Sequence, residues 1–86
     1  MHGPQPQRMT GTLRVCAART PDGDRQVMSI LPNGAQFSLA PAEALSYAFA
    51  VLMVAKNLFP SKDALDRAVP AAYDRSHELL VDPRVQ

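Results

Sequence analysis

"SYAFAVLMVAKNLF", Ser46 to Phe59, is the stretch on which the reading of this chain turns. Its most apolar run, Tyr47 to Ala55, is far shorter than the roughly 18–20 residues that cross a bilayer. Apolar residues recur here at helical spacing, but on more than one side. Leu45, Phe49, Leu52 and Phe59 form one stripe, with Ala48 and Ala55 between them; Tyr47, Val51, Val54 and Leu58 form a second. Only the strip Glu43, Ser46, Ala50, Met53 and Asn57 is left for water. An ordinary surface helix has one apolar stripe, so a helix with two must be covered twice.

The first cover lies upstream. "TLRVCAART" (Thr12–Thr20) and "RQVMSIL" (Arg25–Leu31) alternate with period two and are separated by the turn signal "PDGD". "PNGA" comes next, and its Asn33-Gly34 pair favours a two-residue type I′ hairpin. "AQFSL" (Ala35–Leu39) alternates again. The expected fold is therefore α+β: an N-terminal three-stranded antiparallel meander packed on a long apolar helix. Leu13, Val15, Met28, Ile30, Phe37 and Leu39 are expected on the inner face, under the first helical stripe.

Pro41 suits the first turn of that helix, and Glu43 and Lys56 suit the positive and negative ends of its dipole. Phe59-Pro60 should end it, with Ser61 capping the next helical segment. Pro70 then interrupts the periodicity, so the remainder reads as one kinked or two short C-terminal helices. Residues 1–9, with Gly3, Pro4 and Pro6, read as a flexible arm, and residues 10–86 as a single small domain.

Two candidates exist for the second helical cover: the C-terminal helical segment of the same chain, or the same helix in a second copy. A twofold dimer is the preferred reading, because one patch is then buried twice. Its candidate interface is Tyr47, Ala50, Val51, Val54 and Leu58. In a chain of 86 residues the internal core is small, which makes association a common remedy.

Nothing in the sequence assembles a catalytic or metal-binding constellation. Cys16 and His77 are far apart in sequence, His2 stands alone, and Asp22-Gly23-Asp24 lacks the later ligands of a calcium loop. No phosphate-binding glycine loop is present, and the expectation is a non-enzyme with no cofactor. A single cysteine rules out an internal disulfide, and the N-terminus has no apolar leader core, so a cytoplasmic location is the default.

The net charge of +1 does not by itself imply nucleic acid. By simple alternation, however, the outer sheet face presents Arg14, Arg25, Ser29, Gln36 and Ser38 with no acid among them. That face is a candidate contact for a protein partner or for nucleic acid. Three strands and then a helix is also the order of small sheet-type DNA-binding domains, although no residue motif of such a family occurs here. Three functional classes remain. The first is a small non-catalytic regulatory module, of adaptor or inhibitor type, dimeric and binding another macromolecule; phage or mobile-element origin is common among such chains. The second is a DNA-binding regulator using the sheet, and the third a structural subunit of a larger assembly.

Overall fold

The computed structural model describes Pro6 and residues 8–81. It contains β1 (Arg14–Arg19), β2 (Arg25–Ile30), β3 (Gln36–Leu39), α1 (Pro41–Lys56) and α2 (Lys62–Leu79). The strands form one antiparallel sheet in the order β1-β2-β3, so the fold is α+β with the expected meander. Most of the expected N-terminal arm, and the last five residues of the expected domain, lie outside the described residues.

Both turns of the meander are built alike. Gly23 donates its amide to the Thr20 carbonyl and Thr20 donates to the Asp24 carbonyl, each at 2.9 Å. Gly34 and Leu31 make the equivalent bonds, to the carbonyls of Leu31 and Ala35, at 2.9 and 2.8 Å. Each loop thus reads Pro-Asp/Asn-Gly. Proline presets its own φ at the first corner, and the glycine takes the left-handed conformation, φ +92° at Gly23 and +91° at Gly34. Asn33 Oδ1 accepts from the Ala35 amide at 2.9 Å, which fixes the second turn further. The type I′ expectation at Asn33-Gly34 is overturned, because it requires positive φ at Asn33 and no described non-glycine residue has it.

That difference changes which residues share a face. A three-residue loop pairs Val15 with Ser29 and Ser29 with Phe37; Cys16 pairs with Met28 and Met28 with Ser38. Directly opposed residues project to the same side, and a shift of one residue turns a strand over. Relative to the expectation, β2 is therefore inverted. Val15, Ala17, Phe37 and Leu39 share a face with Val27 and Ser29, while Met28 and Ile30 stand on the other face with Cys16 and Ala18.

Helix α1 begins as expected at Pro41. Ala40 has no side-chain acceptor, so only the return half of a capping box forms, the Ala40 amide donating to Glu43 Oε1 at 3.1 Å. The C-terminal end tightens: Asn57 and Leu58 donate their amides to the carbonyls of Val54 and Ala55, three residues back, and Asn57 Nδ2 donates to the Met53 carbonyl at 3.0 Å. Ser61 caps α2 through Oγ, accepting from the Ala64 amide at 3.1 Å. Pro70 lies inside α2, which is one element and not two short helices.

The expected core is not closed among the described residues. No described residue is fully buried. Of α1, only Ala44 is even partly covered, although the helix touches β2 and β3. The first stripe does not seal the sheet, since Leu45 and Phe49 are 62% and 61% exposed. Nor does α2 fold back on the second, since Val54 and Leu58 are 63% and 78% exposed. The radius of gyration is 15.4 Å, where a compact chain of this length has about 12 Å. The accessible surface is 7565 Å², where a compact monomer of 9.3 kDa has about 5,000 Å².

Candidate interaction surfaces

The α1 surface arises from local sequence. The segment Ala44–Ala55 carries no charge, so no side of the helix is committed to water. Tyr47, Val51, Val54 and Leu58, the residues proposed for an interface, are all exposed, as are Leu45, Phe49, Leu52 and Met53. Ala50 lies among them, exposed as well. Together they make an apolar surface that continues around the helix. Isolated exposed apolar side chains are ordinary; a contiguous set on one element is what makes α1 the candidate surface.

The sheet supplies the second surface, and here the register separates the candidates. Arg14 pairs with Ile30 and Ile30 with Gln36, and Ser38 pairs with Met28, so Arg14, Gln36 and Ser38 share one face. Ser29 lies on the opposite face with Val15 and Phe37. Arg25 is on that face too, directly across from Arg19, which alternation alone had not singled out. The five candidates therefore do not form one surface. The strands themselves hold three arginines and no acid: one arginine projects from the first face and two, as a facing pair, from the second.

The edges of the sheet differ. Val15 forms a parallel bridge with Leu80, and the Val81 amide donates to the Val15 carbonyl at 2.9 Å. The chain beyond α2 thus covers part of the β1 edge. Among the described residues, β3 has no strand partner on its outer edge.

The side chains with reactive potential are engaged separately. Cys16 is partly buried on β1. His77 Nδ1 lies 3.0 Å from the Tyr73 carbonyl, to which it donates, and the two rings meet edge-on with centroids 4.9 Å apart. No cluster of three or more His, Cys, Asp or Glu residues suited to a metal ion occurs among the described residues. No helix among them is long and apolar enough to cross a membrane. No protein-family model, curated protein or solved structure matches this chain.

Proposed function

We propose that this protein is a small non-catalytic interaction module, a homodimer held through α1 that acts by binding another macromolecule as an adaptor or inhibitor. The observation that carries the reading is the uncovered apolar surface of α1: with 47% hydrophobic residues, the chain buries none of its described residues by itself. Small folds in this position gain stability by association, because any partner that binds only the folded form shifts the equilibrium toward it. The acid-free sheet supports a partner with an acidic surface, which Arg14 meets on one face and Arg19 with Arg25 on the other. Division of the arginines between two faces disfavours a single groove-reading surface, so a protein partner is preferred to nucleic acid.

The test is the solution mass by light scattering over a hundredfold range of concentration. A mass of twice 9.3 kDa that persists on dilution supports the reading. A well-folded single chain at all concentrations, binding no apolar dye, overturns it.

A further inference from the structure

We infer that the open edge of β3 pairs with the same edge of a second copy, antiparallel about a twofold axis through Phe37; this deepens the homodimer reading above and rests on it. Hydrogen bonds fix which backbone groups of β3 are free. The Leu31 amide donates to the Ala35 carbonyl at 2.8 Å, so Leu31 and Ala35 are a hydrogen-bonded pair. Such pairs alternate with non-bonded ones along an antiparallel ladder. Ser29–Phe37 and Val27–Leu39 are then bonded pairs, whereas Ile30–Gln36 and Met28–Ser38 are not. Gln36 and Ser38 therefore direct their amides and carbonyls away from β2, to the outer edge. The far edge of the meander obeys the same alternation. Val15 faces outward there by this phase, and its carbonyl accepts from the Val81 amide at 2.9 Å.

Both flanks of this edge are closed. The Ala35 amide donates to Asn33 Oδ1 at 2.9 Å, and its carbonyl takes the Leu31 amide. The Ala40 amide donates to Glu43 Oε1 at 3.1 Å, and its carbonyl accepts from the Ala44 amide at 2.9 Å. The edge thus suits a strand that is open over the same short run and closed on either side, and β3 is itself such a strand. A twofold at Phe37 sets Gln36 against the partner's Ser38 and Ser38 against the partner's Gln36, so every outward group meets its complement. A twofold at Gln36 or at Ser38 would instead oppose Gly34 or Ala40. The Gly34 amide is already given to the Leu31 carbonyl, and both backbone groups of Ala40 are engaged. One register is self-complementary.

The side chains agree with it. β1 and β2 carry arginines, which self-pairing would bring together across the axis. β3 carries neither a charge nor a proline, the usual guards of a strand edge. Phe37 is 44% exposed and would stand directly against the partner's Phe37 as an aromatic pair, with Ala35 opposite the partner's Leu39 beside it. The axis stands perpendicular to the sheet, so the two sheets become one. Both α1 helices, each touching its own β2 and β3, then lie on the same side of it.

Amide exchange on the wild type, at a concentration that gives dimeric mass, reads the edge directly. Gln36 and Ser38 should exchange as slowly as Phe37 and Leu39, whose amides β2 holds; on a bare edge they would exchange at least about tenfold faster. In a Cys16→Ser background, Phe37→Cys brings two Cβ atoms about 4.5 Å apart, a span a disulfide can bridge, and Ala35→Cys leaves them about 14 Å apart. Mild oxidation should then give covalent dimer at least about tenfold faster from Phe37→Cys. Dimeric mass with fast Gln36 and Ser38 amides overturns the inference and leaves the homodimer reading standing. Slow amides with equal cross-linking rates mean that another strand, or another register, covers the edge, and overturn it as well. A single-chain mass at every concentration removes both. Where Phe37→Cys does not fold, Ser38→Pro decides, since it removes an outward amide and no bond to β2. It should weaken the dimer at least about tenfold, and unchanged affinity overturns the inference.

Discussion

The amide of Val81 donates to the carbonyl of Val15 across 2.9 Å, tying the end of the described chain to the first strand. Val81→Pro removes that donor while leaving every helix and turn bond in place. The expected cost is about 1 kcal/mol of stability. Amide exchange should also accelerate along β1 while β3 is little changed. Uniform acceleration across the sheet would show that the tie supports the whole meander.

Val54 is more exposed than most of its helix, and a free monomer would tolerate a charge there. On the dimer reading, burial between copies would reverse that expectation. Val54→Asp should cost several kcal/mol through an unpaired carboxylate, seen as loss of both dimeric mass and cooperative unfolding. Unchanged mass and midpoint would place Val54 outside the interface.

Arg19 and Arg25 face each other across β1 and β2, an arrangement in which like charges repel. Arg25→Glu converts the pair to an attractive one. Stability should rise by about 0.5 kcal/mol, and the gain should diminish in high salt. If the two arginines instead hold an acidic partner, the same variant should bind that partner less well despite being more stable.

Gly34 holds φ +91°, where a Cβ is strained although no neighbour obstructs it. Gly34→Ala should therefore destabilise by about 1 kcal/mol with no change in packing. A larger loss, read by chemical denaturation, would indicate that the second turn also sets the pairing of β3.

Much of the architecture was legible. The three alternating runs, the helix starting at Pro41 and the cap at Ser61 each arise from local rules that tertiary packing did not override. The faces were not legible, because Asn33-Gly34 fits both a two-residue and a three-residue loop, and these differ in register by one. The signal that could have decided it was the proline before each Asx-Gly pair: Pro21 and Pro32 preset the first corner of the longer loop. Arg19 was missed because its neighbour across the sheet depends on the register set by the other loop, Pro21-Asp22-Gly23, between β1 and β2. The exposure of α1 was half legible. Two apolar stripes announced that two covers were needed, but periodicity does not say whether a cover lies in the same chain.

If a chain whose described residues include none fully buried is completed by a second copy, its lifetime depends on how much of it is present. On the dimer reading, dilution below the dissociation constant would populate an opened form, and that form is the substrate of cellular proteases. Abundance then regulates itself: scarce copies are cleared quickly and plentiful copies protect one another. Partial loss of expression would consequently remove more than its proportional share of the protein.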